Sequence, residues 1–448
     1  MSGRSQKYRL LICIFSSVLV TFNCSKDDNP KTPTPIQKEV DFVKTLGGTK
    51  NESARSIIQT SDGGYAVLGY TQSNDGDITN KTDTSFDCWL LKYNQNSTLE
   101  WQKTYGGSGD DRGHDIIQTT DGGYAVLGYS KSNDGDVTTN NGLNDFWVVR
   151  LDSSGDISWE KSFGFSGTDT GHTIIQTNDG GFLITGVLDV SASGGQGNSK
   201  ASTKKHAGGD YWAVKLNVSG ALEWSRYYGG TFTDTPYDVI QTADNGYILV
   251  GSSDSDDTDI KANKGSYDFW VVKISDTGTL LWEKSFGGTE IDEARGITKT
   301  NDGNYLIIGD TRSSDLDVSF NNGAADFWVF KMSPSGDLIW EKAFGGSSFD
   351  AARSITKTQD GGFIICGSSR SANADINNNG QNDAWVIKID SNGNMAWQKS
   401  IGGSGVDLAY DALALSDNSV IIVGESGSSD IDVPENKGFS DLLIFKIK

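Results

Sequence analysis

A seven-fold internal repeat constrains this chain more than any other feature of its sequence. Glycine pairs or their equivalents begin at seven positions, 57 to 65 residues apart: Gly47, Gly106, Gly164, Gly229, Gly287, Gly345 and Gly402. All twelve tryptophans fall at two equivalent places, two in each of six repeats. A repeat of this kind is one structural unit that buries its apolar face against its neighbours. The sequence therefore predicts an array of about 58-residue units in place of several unrelated domains.

Each unit divides into four short apolar stretches joined by turns. In the second copy these are residues 115–119, 124–129, 146–151 and 158–163. The Asp-Gly-Gly sequence at 121–123 favours a hairpin, since glycine adopts the positive φ angles that tight turns need. A high glycine count of 55 and a low proline count of 6 agree with many strands and turns. The pattern predicts an all-β fold with four antiparallel strands in each unit.

The two ends of the chain predict that the array closes on itself. The seventh repeat stops at Lys448, after its third strand, and the missing fourth strand is found at the start of the repeat region. There, residues 42–48 (FVKTLGG) align with residues 101–107 (WQKTYGG). A linear solenoid gains nothing from this offset. We therefore expect residues 40–448 to form a closed seven-bladed β-propeller whose last blade is completed by the N-terminal strand.

The repeat resembles those of bacterial seven-bladed propeller proteins over about Val40 to Lys448. The shared pattern runs from D-G-G-Y-x-V-x-G-Y through D-F-W-V-V-K to G-x-x-x-W-x-K-x-x-G-G. Gly155 with Trp159, and Gly278 with Trp282, resemble the tryptophan-docking turn of quinoprotein-type propellers. The Asp-box of sialidases and the kelch and WD-repeat signatures do not match. Such families share a shape without sharing an activity, so the resemblance implies the fold alone.

The first 39 residues have the features of an export address. Three basic residues, Arg4, Lys7 and Arg9, precede an apolar run at 10–22 that is too short to span a membrane. Cys24 follows, as in the lipobox of bacterial lipoproteins, and Ser25-Lys26-Asp27-Asp28 resembles the surface-export signal of Bacteroidota lipoproteins. We expect a signal peptide at 1–23, lipidation of Cys24, a proline-rich tether at 24–39 and an outer-membrane location facing the cell exterior. The alternative is an ordinary cleaved signal with an incidental cysteine.

Charge limits the classes of partner. The chain has 38 basic and 59 acidic residues, for a net charge of −21. This balance disfavours nucleic acid and anionic lipid, so a lipid anchor would be the only membrane contact and the protein is expected to be monomeric. Two seven-fold sets of basic residues are predicted to lie on the outer rim of the blades: Lys44, Lys103, Lys161, Arg226, Lys284, Lys342 and Lys399 on the fourth strands, and Lys92, Arg150, Lys215, Lys273, Lys331, Lys388 and Lys446 on the third strands.

One position varies between repeats while its surroundings stay constant. Its seven residues are Arg55, His114, His172, Tyr237, Arg295, Arg353 and Tyr410. They should lie near the inner end of the channel, on the face that carries the long loops, and propeller pockets favour the axis. Arginine, histidine and tyrosine together suit a polar or anionic ligand such as a glycan or carboxylate. Alternatively, the arginines pair with an acidic ring three residues earlier, or His114 and His172 hold a metal.

Two loop features add further candidates. Alternating carboxylates at Asp75, Asp77, Asp134, Asp136, Asp315 and Asp317 offer oxygen ligands that suit calcium, although aspartate-based turns explain the same residues. The longest repeat inserts a loop at 191–209 whose Lys200, Lys204 and Lys205 form a basic patch that could contact a partner. Calcium is the one cofactor that the sequence suggests.

Catalytic signatures are scarce in this sequence. No Ser-His-Asp order, cysteine–histidine pairing or metalloprotease motif is present. The prediction is a non-enzymatic binding propeller that holds a glycan or an envelope protein. The alternatives are a carbohydrate-active lyase or hydrolase with its site at the channel mouth, where carboxylates abound, and a purely structural component of the envelope.

Overall fold

The structure, a computed structural model, describes residues 38–198, 205–374 and 376–448. The predicted signal peptide, Cys24, most of the tether, Lys200 and Lys204 lie outside these residues. The region from Ile36 to Lys448 is one compact unit. Within the described part of the chain, no helix has the length and apolar character to cross a membrane.

Seven four-stranded antiparallel sheets make up the fold, each sheet being one blade. Blades 1 to 3 contain β2 (Glu52–Gln59), β3 (Tyr65–Thr71), β4 (Asp87–Tyr93) and β5 (Leu99–Tyr105); β6 (Asp111–Gln118), β7 (Tyr124–Ser130), β8 (Asp145–Leu151) and β9 (Ile157–Phe163); and β10 (Thr170–Gln176), β11 (Phe182–Asp189), β12 (Gly209–Leu216) and β13 (Leu222–Tyr228). A short helix, α1 (Val190–Ser193), follows β11.

The remaining blades repeat this order. Blades 4 to 6 contain β14 (Asp234–Gln241), β15 (Tyr247–Ser253), β16 (Asp268–Ile274) and β17 (Leu280–Phe286); β18 (Asp292–Lys299), β19 (Tyr305–Thr311), β20 (Asp326–Met332) and β21 (Leu338–Phe344); and β22 (Asp350–Lys357), β23 (Phe363–Ser369), β24 (Asp383–Ile389) and β25 (Met395–Ile401). Blade 7 contains β26 (Asp407–Ala414), β27 (Val420–Ser426), β28 (Asp441–Ile447) and, from the other end of the chain, β1 (Val40–Leu46).

The N-terminal strand closes the propeller as predicted. β1 pairs antiparallel with β28, with Val43 opposite Phe445 and Leu46 opposite Leu442. The outermost strand of blade 7 therefore comes from the start of the chain, and hydrogen bonds join the two ends. This confirms the predicted all-β, seven-bladed architecture.

The core lies between blades. Second and third strands are buried along nearly their whole length, and neighbouring sheets share apolar clusters. The third-strand tryptophans fill these clusters: Trp147 is fully buried and its Nε1 donates to Glu160 at 3.0 Å. A large ring that buries its area while keeping its N–H bonded suits an interior position. Cys88 and Cys366 are buried and free, in place of apolar residues.

The third-strand basic residues do not lie on the outer rim, so that prediction was wrong. Lys92 is only 3% exposed. Its Nζ donates to Asp62 of the Asp-Gly-Gly turn at 2.8 Å and to Glu100 of the fourth strand at 2.9 Å. The physical reason is strand order. The third strand lies between the second and fourth strands of its sheet and not at the edge. Its lysine is therefore covered, and it pairs with carboxylates of the turn and of the fourth strand. The fourth strand is outermost, and there Lys44 and Lys161 are exposed, although Arg226 is buried.

Candidate functional site

A β-bulge interrupts the innermost strand of every blade at the same place. In blade 1, Ala54 pairs with Gly69 and Ser56 pairs with Leu68, so Arg55 has no opposite residue. A bulge inserts one extra residue and redirects the local side chains. The seven inserted residues are Arg55, His114, His172, Tyr237, Arg295, Arg353 and Tyr410. They are the seven residues predicted from sequence, and we call them the axial ring.

A glycine on the second strand makes each bulge possible. A Cβ atom at Gly128 would overlap the carbonyl oxygen of Arg112, immediately before the bulge. The same collision occurs at the equivalent glycines, which are Gly69, Gly186, Gly251, Gly309, Gly367 and Gly424. Glycine inside a strand is a known sign of a bulge or a close backbone approach. This recurrent glycine is the sequence signal that could have located the bulges.

The axial ring lines two cavities in the channel. One, of about 230 Å³, is lined by the seven ring side chains alone. The other, of about 180 Å³, is lined by the ring together with the residue that follows each member, including Asp115, Asp238 and Asp411. The structure thus brings all seven predicted residues together around one axis.

Both histidines of the ring are held as neutral imidazoles. His114 Nδ1 lies 2.8 Å from the carbonyl oxygen of Gly171, and His172 Nδ1 lies 2.6 Å from that of Pro236. Because a carbonyl only accepts, Nδ1 carries the proton in each ring and Nε2 keeps a free lone pair. Burial lowers the pKa of His114 to about 3, and the neighbouring His172 adds to the effect. Burial also lowers the pKa of His172.

Neighbouring ring members stack on one another. The His172 and Tyr237 rings lie 5.3 Å apart and 5° from parallel. The Arg295 guanidinium also lies over the Tyr237 ring, with its Cζ 3.9 Å from the ring centroid. Cation–π attraction of this kind helps to hold the guanidinium in place. The ring is therefore ordered by its own contacts.

Three guanidinium groups concentrate positive charge on one side of the ring. Arg55 and Arg295 reach Glu425 at 3.6 Å and Glu293 at 3.2 Å. Burial and the nearby Arg295 lower the pKa of Arg353, for which no ion pair or hydrogen bond is found among the described residues. The acids that do approach the arginines are not those of the acidic ring considered from the sequence.

That acidic ring caps the loops between blades. In blade 5, Asp292 accepts a hydrogen bond from Gly288 N at 2.7 Å and another from the Ser313 hydroxyl at 2.9 Å, and its second oxygen accepts one from Thr311. Both oxygens are thus occupied, as they are for Asp111 in blade 2. These residues therefore cap the backbone and hydroxyl groups of the loops between blades.

Three aspartates next to the ring bridge blades inside the channel. Asp115 accepts hydrogen bonds from the Ser56 hydroxyl of blade 1 and the Thr173 hydroxyl of blade 3, each at 3.0 Å. Asp411 accepts from the Ile57 amide at 2.9 Å. Burial raises the pKa of Asp238 to about 7 and that of Asp411 to about 6. Sequence reasoning missed these carboxylates, because they recur in only three of the seven blades.

The predicted calcium carboxylates bind the glycine-pair loops. Asp75 accepts from the Thr49 amide at 2.8 Å and its hydroxyl at 2.9 Å, and Asp315 does the same with Thr289 at 2.9 Å for both bonds. Asp134 accepts from the Ser108 amide at 2.7 Å. The second aspartates, Asp77, Asp136 and Asp317, accept from Gly47, Gly106 and Gly287 at 3.0, 3.1 and 3.2 Å.

These bonds join residues 26 to 30 positions apart, so the carboxylates hold two loops together. Across residues 38–198, 205–374 and 376–448, no group of three or more His, Cys, Asp or Glu side chains is placed to hold a metal ion. Calcium binding remains a prediction. Of the basic loop, Lys205 is exposed and its carbonyl accepts a hydrogen bond from Thr258 at 3.0 Å; the partner role of this loop is also still a prediction.

The sequence matches no protein-family model. The regulatory protein FlaEY of Caulobacter vibrioides is 24% identical over 251 residues, which are 50% of this chain and 26% of FlaEY. The uncharacterized WD repeat-containing protein L264 of Acanthamoeba polyphaga mimivirus is 23% identical over 213 residues, 37% of this chain and 15% of that protein. The chain thus spans about a quarter or less of the length of these relatives.

Among solved structures, the WD40 domain of Neurospora crassa Pan2 superimposes with a TM-score of 0.50. The match has 10% sequence identity and covers 93% of this chain and 97% of that domain. Similarity at this level of identity concerns the fold and not the activity. The chain is a seven-bladed β-propeller with a WD40 structural neighbour.

Proposed function

We propose that this protein is a non-enzymatic binding propeller that holds a carboxylate-bearing glycan on its axial ring. The observation that carries the proposal is the convergence of Arg55, Arg295 and Arg353 on one channel cavity. The buried Nε atoms of Arg55 and Arg295 have no hydrogen-bond partner among the residues described. An unsatisfied buried donor costs about 1–3 kcal/mol, and an anionic oxygen would remove that cost.

The rest of the ring suits the remainder of a sugar. The free Nε2 atoms of His114 and His172 can accept hydrogen bonds from hydroxyl groups, as the Nδ1 contacts leave them unprotonated. Tyr237 and Tyr410 line the same cavity beside these acceptors. Carboxylate recognition by arginine and hydroxyl recognition by imidazole together suit an acidic sugar.

The proposal also includes an address. The sequence around Cys24 supports a lipid anchor at the outer membrane, with the tether at 24–39 holding the propeller outside the cell. Incorporation of labelled palmitate into the full-length protein, and its loss in Cys24→Ala, would support this. Protection of the intact protein from protease added to whole cells would contradict the exterior location.

Binding of acidic glycans to the purified full-length protein tests the ligand. We expect uronic-acid-containing oligosaccharides to be retained on an array, and Arg353→Gln to weaken their binding by tenfold or more. Lys299→Gln is the matched control, because Lys299 is exposed on the same type of strand and loses the same charge. Equal binding by Arg353→Gln and the native protein would refute the axial ring as the site.

A carbohydrate-active enzyme is the second candidate, favoured by one observation. Burial raises the pKa of Asp238 to about 7, so this carboxyl could donate a proton at neutral pH beside the same cavity. Incubation of the retained glycan with native protein and with Asp238→Asn separates the two functions. Cleavage by the native protein alone would replace the binding proposal with an enzymatic one, and an intact glycan after prolonged incubation supports binding.

A further inference from the structure

The contact between blades 7 and 1, which we call the closing seam, is packed differently from the other seams. At five of the other six seams a fourth-strand tryptophan packs on a positive-φ glycine in the next blade: Trp101 on Gly155, Trp159 on Gly220, Trp224 on Gly278, Trp282 on Gly336 and Trp340 on Gly393. At the closing seam the equivalent residues are Phe42 and Ser97, and Ser97 keeps the positive φ of 60°. An indole is thus replaced by a smaller phenyl ring.

A second replacement removes more bulk. Leu46 stands where five of the other six seams have an aromatic residue, namely Tyr105, Phe163, Tyr228, Phe286 and Phe344, and the sixth has Ile401. The closing seam contains a cavity of about 450 Å³, lined by Phe42, Leu46, Tyr65, Tyr93 and Ile444 among others. This volume lies within the range of small-molecule sites.

A buried hydroxyl without a partner faces this cavity. Tyr93 is 6% exposed, and its hydroxyl makes no hydrogen bond within the described part of the chain. The equivalent residues of the other blades are all aliphatic: Leu151, Leu216, Ile274, Met332, Ile389 and Ile447. The Tyr93 ring stacks on Tyr65 with centroids 4.9 Å apart, which fixes its position. Buried polar groups are rarely left unbonded, so this hydroxyl points to a missing partner.

A lysine without an ion pair lies at the rim of the closing-seam cavity. Lys44 is exposed, with Nζ 5.0 Å from the Phe42 centroid. At two other seams the equivalent lysine forms an ion pair with the next blade's turn, Lys103 with Asp156 at 2.6 Å and Lys284 with Asp337 at 3.1 Å. Thr98 takes the place of that aspartate here, and Lys44 has no ion pair with any described residue. The nearby acids Asp77 and Glu435 are already paired with Lys437, at 2.6 and 3.2 Å.

We propose that the closing-seam cavity binds an indole-like aromatic carboxylate. Its ring would occupy the space that an indole fills at the other seams, its ring N–H would donate to the Tyr93 oxygen, and its carboxylate would pair with Lys44. The site is separate from the axial ring and does not depend on the function proposed for that ring.

Three probes test this chemistry on the purified full-length protein by saturation-transfer NMR and equilibrium titration. Indole-3-acetate should bind, and tryptamine, which has the same ring but a positive charge, should bind at least tenfold more weakly. Naphthalene-1-acetate lacks the ring N–H. Tyr93→Phe should therefore weaken the binding of indole-3-acetate and leave the binding of naphthalene-1-acetate unchanged. Lys44→Gln should remove the preference for indole-3-acetate over tryptamine. Lys161→Gln, at the matched exposed lysine of blade 2, should leave this preference unchanged.

A filling variant provides the decisive comparison. Phe42→Trp/Ser97→Gly introduces the tryptophan-on-glycine contact that five other seams have, so it should fold, raise Tm and lose indole-3-acetate binding. Binding by the folded double variant equal to that of the native protein would overturn the proposal, as would failure of all three probes to bind native protein. Loss of indole-3-acetate binding in Arg353→Gln would place the acid on the axial ring and also refute the seam site.

Discussion

The Arg55 guanidinium of blade 1 lies over the Tyr410 ring of blade 7, with Cζ 3.8 Å from the ring centroid. Arg55 also donates to the Tyr70 hydroxyl at 2.6 Å, and Tyr410 donates to Glu425 at 3.2 Å. This group of contacts spans the closing seam at its inner end, whereas the pairing of β1 with β28 joins the two ends of the chain within blade 7. The axial ring therefore takes part in closing the propeller as well as in lining the cavity.

The glycine opposite each bulge should be indispensable to its blade. Gly128→Ala places a Cβ against the carbonyl oxygen of Arg112, and we expect a loss of about 1–3 kcal/mol, typical of overpacking. Urea denaturation measures the change. Gly427→Ala is the control, because the nearest atom to its added Cβ is 3.5 Å away. Equal midpoints for the two variants would contradict the bulge geometry.

Buried carboxyls at the junctions between blades should make the protein less stable in alkaline conditions. Burial raises the pKa of Asp268 from 3.8 to about 7, and Asp292 beside it acts in the same direction. Because the folded-state pKa is the higher one, the associated stability is complete below about pH 4 and is lost as the pH rises through about 7. We expect Tm to fall between pH 5 and pH 8.

Asp268→Asn should reduce this dependence and raise Tm at pH 8, since the amide is uncharged and can still accept from Lys264 N. Asp256→Asn removes the same charge from an exposed side chain and serves as the control. An equal change in both variants would attribute the effect to net charge, contrary to our explanation.

The aspartates of the turns between first and second strands, such as Asp244, should affect stability at acid pH instead. Hydrogen bonds from Lys273 and Thr242 lower the pKa of Asp244 from 3.8 to about 2. A lowered folded-state pKa gives stability that is present above about pH 4 and disappears as the pH falls towards 2. Lys273→Met should cost about 0.5–1 kcal/mol at pH 7, because Asp244 is largely exposed. Acid unfolding, followed by circular dichroism, should begin at a similar pH in Lys273→Met and Asp244→Asn, because each variant removes the same ion pair. The exposed-site variant Lys357→Met should unfold at the same pH as the native protein.

His114 should remain neutral throughout the physiological range. Burial lowers its pKa to about 3, and its Nδ1 is committed to the Gly171 carbonyl. We expect ¹⁵N NMR to show a protonated Nδ1 and an unprotonated Nε2 from pH 5 to pH 8, with no titration between them. A midpoint near 6.5 would show that the imidazole is solvated, and would remove it as a fixed hydrogen-bond acceptor.

One exposed residue holds an unfavourable backbone conformation. Ile431 is 65% exposed at φ 59°, where the equivalent residues of blades 1 and 2 are Gly76 and Gly135. β-branched residues are disfavoured in this region, so Ile431→Gly should stabilise the fold by about 1 kcal/mol. Ile339→Gly, on an outer strand, should destabilise it instead. Thermal unfolding distinguishes the two; a lower Tm for Ile431→Gly would mean that its side chain makes a stabilising contact.

The architecture followed from local chemistry that the sequence displays. Two patterns, the Asp-Gly-Gly turns and the apolar second strands, specify short-range structure. A third, the match of residues 42–48 to residues 101–107, specifies which strand completes the last blade. All three agree with the fold. The axial ring was located because repeats align residue by residue. One position that varies against a constant background can then be placed at a known point of the blade.

What could not be predicted depends on packing between distant segments. The recurrent glycine could have indicated a bulge at Arg55, but the approach of the Ser53 carbonyl oxygen to Gly69 is a contact that only the structure shows. Lys92 was assigned to the rim because a charged residue in a strand suggests an edge, but strand order made that position interior. The closing-seam cavity arises from the combined volume of several side chains, which no single substitution reveals.

The bulges separate what the scaffold needs from what a ligand meets. The residue inserted in each inner strand has no opposite residue in the strand register. The residue before it keeps its backbone pairing with the second strand, where a glycine leaves room for the bulge. An exchange at an inserted position therefore alters the lining of the channel while the strand pairing on either side of the bulge is kept. Specificity could then change by one substitution at a time, each in a different blade, on a constant set of sheets.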